Sequence, residues 1–143
     1  MKIKQLSVFI ENKEGRLKKA INTISGAGIN IRALSIADTS KFGILRLIVN
    51  DTEKTKSVLE ENKFIVKETD VLAVQISDEP NGLNSILDML DKHAINLEYL
   101  YAFVSKKSDH AIVIIRLENI EEGLDALKEG GANLLSQKDL ETF

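Results

Sequence analysis

Hydrophobic and polar positions alternate at the start of the chain. Ile3, Gln5, Ser7 and Phe9 fall on one side, and Lys4, Leu6, Val8 and Ile10 on the other. Alternation of this kind predicts a strand over residues 3–10, because successive side chains of an extended chain point to opposite faces. The period then changes. Leu17, Ala20, Ile21 and Ile24 recur at helical spacing, with Gly26 and Gly28 supplying a C-terminal stop. Residues 29–37 read as a second strand, 38–41 as a turn and 42–49 as a third strand. Asp51 or Thr52 caps a helix carrying Val58 and Leu59, and residues 64–66 begin a fourth strand. The first half is therefore βαββαβ.

The pattern then starts again. An offset of 66 residues superposes Leu6 on Leu72, Val8 on Val74, Ile10 on Ile76, Leu17 on Leu83, Ile29 on Ile95, Asn30 on Asn96 and Leu34 on Leu100. These matches fall on strand positions and on one helix face, which marks two copies of one unit. The second copy predicts strands near 71–77, 97–105, 110–118 and 132–136, with helices near 81–93 and 120–129. The latter helix is opened by Asn119 with Glu122 in capping-box spacing and closed by Gly130 and Gly131.

This order is the ferredoxin-like plan, an α+β fold in which an antiparallel sheet carries its helices on one face. Each half has about 70 residues, near the small end of chains that fold alone. The two halves, 1–69 and 70–143, are thus expected to pack side by side, with residues 67–71 running from one strand into the next. One packing to weigh is antiparallel, with second strand beside second strand, and the open edges of an eight-stranded sheet or its uncovered face suit a homodimer.

After the first strand of each half comes a short polar loop opening a helix, NKEGRL at residues 12–17 and DEPNGL at 78–83. Helix N-termini present unpaired N–H groups and a partial positive charge, which favour an anion. Asn12 and Asp78 also read as plain helix caps. At the other end of each helix stands a polar residue in an apolar frame, Asn30 in GAGINI and Asn96 in AINL. Asn is a poor strand former and costly to bury without partners, so its recurrence in the same register calls for a common cause. Either it serves a ligand or the contact between halves, or it ends the helix in a left-handed conformation and ties the turn. In a strand–helix–strand unit the first loop and this Asn lie at opposite ends of the sheet. If the halves lie antiparallel with second strand beside second strand, Asn12 approaches Asn96, and Asp78 approaches Asn30.

These loops resemble the ACT domain family, whose pattern runs as Asp or Asn, any residue, Pro, Gly, any residue, Leu, then an amphipathic helix and Gly-hydrophobic-Asn-Ile. The first copy carries Asn12, Gly15, Leu17, Gly28, Ile29, Asn30 and Ile31, with Glu14 in place of Pro. The second carries Asp78, Pro80, Leu83, Ala94, Ile95, Asn96 and Leu97, with Asn81 in place of Gly and Gly82 one position later. The resemblance implies a regulatory module holding a free amino acid between ACT domains. The candidate ligand-binding residues are Asn12, Gly15, Arg16, Leu17, Asn30, Ile31, Asp78, Asn81, Gly82, Leu83, Asn96 and Leu97. An amino acid would offer its carboxylate to the N–H groups of residues 15–17 or 81–83, and its ammonium to Asn12, Asp78 and backbone carbonyls.

Composition narrows the alternatives. The net charge of -3, with Lys and Arg spread along the chain, gives no basic stripe for phosphates, so nucleic acid is not an expected partner. Neither an N-terminal signal-like segment nor a run of roughly 20 apolar residues is present, which predicts a cytoplasmic protein without a membrane partner. With no Cys and two isolated His, disulfides, thiol nucleophiles, cofactors and metal sites are not expected. His93 suits the last turn of a helix, and His110 lies in the SKKSDH turn. Neither stands in a catalytic constellation. Arg16 in the first loop raises an acylphosphatase-like phosphate cradle, but it occurs in one copy only. Lys41, Phe42 and Gly43 are similar to an RNA-recognition signature, which the acidic balance disfavours.

Tyr99, Tyr101 and Phe103 alternate on the second strand of the second copy, where the first copy has Ala33, Ser35 and Ala37. Large beside small suits packing between halves, a pocket wall or ordinary core. The reading is a non-catalytic amino-acid sensor that regulates a partner enzyme or pathway. A ligand-free interaction scaffold is its alternative.

Overall fold

The computed structural model describes residues 1–38, 41–104 and 108–142. It divides into two compact units, Lys4–Thr69 and Met1–Ile3 with Asp70–Phe143. Residues 39–40 of the turn expected at 38–41, and residues 105–107 at the start of the SKKSDH segment, lie outside the described residues.

In the first unit, β1 (Ile3–Glu11) is followed by α1 (Arg16–Gly26), β2 (Ile31–Asp38), β3 (Phe42–Val49), α2 (Thr52–Glu61) and the start of β4 (Ile65–Ser77). The strand order is β2-β3-β1-β4. Leu6 stands opposite Leu47 and Val8 opposite Leu45 in the antiparallel β1–β3 ladder. Their side chains form the core with Ala20 and Ile24 of α1 and Leu59 of α2. Alternation therefore places the apolar set of β1 under the helices, as its period requires. α2 starts at Asp51, whose carboxylate accepts the Lys54 N–H at 3.0 Å.

The second unit repeats the plan with the remainder of β4, α3 (Gly82–Lys92), β5 (Leu97–Val104), β6 (His110–Leu117), α4 (Ile120–Glu129) and β7 (Asn133–Leu135). β4 lies between β7 and β6, and β5 follows β6. Leu72 opposite Ile115 and Val74 opposite Val113 carry the core. Asn119 caps α4 by accepting the Glu122 N–H at 3.2 Å. A short α5 (Gln137–Glu141), not expected from periodicity, is set by a capping box between Ser136 and Asp139 and by the buried Leu140.

Two expectations are corrected. The fourth strand of the first copy and the first strand of the second are one strand, β4, because residues 67–70 hold no Gly or Pro to break an extended backbone. The sheet accordingly has seven strands and not eight among the described residues.

Candidate functional site

The two loops after β1 and β4 have the same hydrogen-bond frame. In the first, the N–H of Asn12 donates to the Lys41 carbonyl at 2.9 Å, Arg16 to Lys13 at 3.3 Å and Lys19 to Gly15 at 2.9 Å. In the second, Asp78 donates to Asp109 at 3.0 Å, Gly82 to Glu79 at 3.0 Å and Ser85 to Asn81 at 3.1 Å. Gly15 and Asn81 occupy the N-cap positions of α1 and α3, and neither helix is capped by a side chain. Asn12 and Asp78, three residues upstream, are thus not the caps of α1 and α3. The other three helices are capped, by Asp51, Asn119 and Ser136. Lack of a side-chain cap leaves backbone N–H groups of the first turn for solvent or a ligand.

The shared frame is reached by different glycines. Gly15 adopts φ +80°, a left-handed value that other residues adopt only at a cost. Asn81 instead has φ -94°, and the glycine one position later is needed for space, since a Cβ on Gly82 would stand 2.1 Å from the Ser77 carbonyl oxygen.

Charge separates the loops further. Glu11 pairs with Lys13 at 3.2 Å and with Arg16 at 3.6 Å. The hydrogen bond and charge of Lys13, then the charge of Arg16, hold its carboxyl below the usual range. Arg16 is therefore partly engaged by Glu11. The corresponding positions of the second loop are Ser77, Glu79 and Gly82, without a cation. A cleft of about 210 Å³ is bounded by Asn12 and Leu17 with Ile10, Glu11, Lys13, Ile36 and Gly43. Sequence reasoning selected the first two of these. Glu11 and Lys13 were legible only as flanking charges, and Ile36 and Gly43 arrive from β2 and β3, which no local pattern announces. Of the remaining candidates in the second loop, Asp78 and Asn81 are exposed, while Gly82 and Leu83 are half-buried.

Asn30, Ile31, Asn96 and Leu97 lie at the far end of their units from these loops. Ile31 faces Val49 and Leu97 faces Leu117, whereas Glu11 faces Phe42 and Ser77 faces His110. Within neither unit does the loop meet the Asn of that unit. The left-handed residue is not the Asn but the one two positions earlier, Gly28 at φ +72° and Ala94 at φ +52°. Asn30 donates its backbone N–H to Asn50 Oδ1 at 3.1 Å, and its carbonyl accepts the Asn50 N–H at 3.2 Å. The Asn96 carbonyl accepts the Glu118 N–H at 3.1 Å, while its Nδ2 donates to Glu118 Oε2 at 3.2 Å. Both residues tie the entry of the second strand to the exit of the third. Both are exposed, so neither Asn bears a burial cost.

Tyr99, Tyr101 and Phe103 are half-buried opposite Arg116, Ile114 and Ile112, on the sheet face away from the helices. Among the described residues no group of three or more His, Cys, Asp or Glu could hold a metal ion, and no helix is long and apolar enough to cross a membrane.

The fold and loops can be set beside known proteins. A family model described as an ACT domain pair matches residues 1–143. The structure of protein BT0572 from Bacteroides thetaiotaomicron superposes with a TM-score of 0.94 at 38% identity, covering 100% of this chain and 98% of that one. The ligand-free regulatory subunit of aspartate kinase from Thermus thermophilus has the same fold, with a TM-score of 0.61 at 14% identity over 89% of this chain and 91% of that one. Among curated proteins, the acetolactate synthase small subunit of Buchnera aphidicola subsp. Baizongia pistaciae is 30% identical over 61% of this chain and 55% of its own length. The glutamine-hydrolysing asparagine synthetase 2 of Bacillus subtilis is 32% identical over 52% of this chain and 10% of its own. The chain thus spans 55% and 10% of the length of these two relatives. Through its match along the whole sequence, the chain belongs to the family of ACT domain pairs.

Proposed function

We propose that the chain is a non-catalytic regulatory protein of two ACT domains, residues 1–69 and 70–143. It binds a free amino acid where ACT domains meet and transmits that state to a partner enzyme or pathway, acting as a cytoplasmic homodimer. The observation that carries this reading is the duplicated loop frame, which leaves the first turns of α1 and α3 without a side-chain cap while the other three helices have one. An amino-acid carboxylate is suited to the N–H groups around Gly15 and Leu17 or around Asn81 and Leu83, those of Arg16 and Gly82 already donating to Lys13 and Glu79. The side-chain oxygens of Asn12 and Asp78 are suited to the ammonium. Asn30, Ile31, Asn96 and Leu97 serve in this reading as contact groups between domains. Lys13 and Arg16 favour the first loop for the carboxylate, and Asp78 with Glu79 disfavours the second. Action on a partner is supported by the relatives named as a kinase regulatory subunit and a synthase small subunit.

A thermal-shift screen of the twenty amino acids and a set of keto acids tests this. A ligand at about 100 times its dissociation constant adds about 2.7 kcal/mol, so a raised midpoint is expected for one or a few amino acids. Asn12→Ala or Asp78→Ala should remove the shift. No shift across the amino acids, or a shift that survives both substitutions, overturns the reading.

A further inference from the structure

Where α2 turns into β4, the two units differ in a way their common backbone does not require. In the first, Lys63 donates its N–H to the Glu60 carbonyl at 3.0 Å and Phe64 donates to Leu59 at 3.0 Å. In the second, Gly131 donates to Lys128 at 3.1 Å and Ala132 to Leu127 at 2.9 Å. The backbone is left-handed in both, φ +70° at Lys63 and +77° at Gly131. Glycine adopts that conformation freely and lysine does not. A residue kept in an unfavourable conformation invites the question of what its side chain does there.

Lys63 lines a cleft of about 180 Å³ with Phe9, Phe42, Phe64, Arg16 and Lys19. Phe9 is 40% and Phe42 53% exposed, high values for phenylalanine in a folded domain. Lys19 Nζ stands 5.8 Å from the centre of the Phe64 ring, within the range of a cation–π contact. Three cations therefore line the cleft, against the single carboxylate of Glu11. At the matching positions of the second unit the register and the shared hydrogen-bond frame place Gln75, His110, Ala132, Gly82, Ser85 and Gly131. Among the described residues, the phenyl rings and fixed cations at these positions are confined to one copy of a duplicated backbone. Packing of the common fold does not account for that, because the second copy folds the same way without them.

We propose that this cleft is a binding site, present in the first unit only, for a small aryl carboxylate. The ring packs against Phe9, Phe42 and Phe64, and the carboxylate is held by Lys63 and Lys19. The excess of cations favours an anion over a zwitterion. The cleft is smaller than pockets for drug-sized ligands, which suits one ring with a short acid side chain. This site adjoins the loop assigned to the amino acid and shares Arg16 and Glu11 with it, whereas Phe42, Phe64 and Lys63, which hold the ring anion, belong to other elements.

Isothermal titration with phenylpyruvate tests the site, with pyruvate as the ringless comparison. Saturable binding of phenylpyruvate is expected, with pyruvate weaker by about tenfold or more. Lys63→Gly replaces lysine by the residue the turn prefers, so this variant folds at least as stably as the parent yet should bind about tenfold more weakly or worse. Phe42→Ser should weaken binding similarly, while Asn12→Ala leaves it unchanged. The proposal is overturned by absence of saturable binding at millimolar phenylpyruvate, or by full affinity in Lys63→Gly. Loss in Asn12→Ala with retention in Lys63→Gly places the ring anion at the loop and overturns it as well, while leaving the amino-acid reading standing.

Discussion

Ala94 holds φ at +52° while its backbone N–H donates to the carbonyl of Asp91 at 3.0 Å. Gly28 makes the same bond to Ser25 at 3.0 Å with φ +72°. The second copy thus closes its helix with a residue that carries a Cβ where the first uses glycine. A left-handed Ala costs about 1 kcal/mol relative to Gly. Ala94→Gly should stabilise the protein by about that amount, seen as a rise of roughly 2 to 4 °C in the unfolding midpoint. A fall in the midpoint would show that the turn is not strained.

The loop glycines should respond to substitution for different reasons. Gly82→Ala puts a Cβ 2.1 Å from the Ser77 carbonyl oxygen, and the backbone must move. Overpacking of this kind costs about 1 to 3 kcal/mol. Gly15→Ala meets nothing within 4 Å and should lose only the conformational term, about 1 kcal/mol. Chemical denaturation of both variants gives the comparison. Equal losses would contradict it.

Asp139 accepts the backbone N–H and the hydroxyl of Ser136, both at 2.7 Å. The backbone bond, then the side-chain bond, lowers its pKa. A carboxyl whose folded pKa is depressed contributes stability above its unfolded value, near ~3.9 for Asp. That contribution is lost as pH falls through the lower folded value. Acidification should therefore loosen α5, and Ser136→Ala should raise the Asp139 midpoint toward the ordinary range. Carboxyl chemical shifts followed by NMR against pH measure both effects. An unshifted midpoint in the parent protein would rule out the capping box in solution.

The strand core and strand edge should differ sharply. Leu6 is fully buried opposite Leu47, and Leu6→Ala should cost about 2 to 5 kcal/mol through lost burial and the cavity left behind. Leu34, on the edge strand β2, is 52% exposed, and Leu34→Ala should change stability by less than about 1 kcal/mol. The midpoints of denaturant unfolding decide.

The repeat was legible in the sequence because its signals are local. Alternation in residues 3–10, helical spacing from Leu17 to Ile24, and Asp51 and Asn119 as caps each involve neighbours a few residues apart. The boundary between copies was not. β4 continues through residues 67–70 because nothing there interrupts it, and a pattern cannot tell one long strand from two short ones placed end to end. α5 was missed because a helix of five residues is too short to show a period, although its capping pair, Ser136 and Asp139, is present at the right spacing.

What the sequence determined by itself is the unit: the order of its elements, the face of each that enters the core, and the two polar loops that open α1 and α3. These follow from periodicity and backbone preference, which act within a few residues. What only the tertiary structure decided is the company each residue keeps. Arg16 meets Glu11, Asn30 is tied to Asn50, and Phe9, Phe42 and Phe64 arrive at one cleft from three strand or turn segments. Such meetings depend on strand register and on the closing of chain segments of tens of residues, and no local preference carries that information.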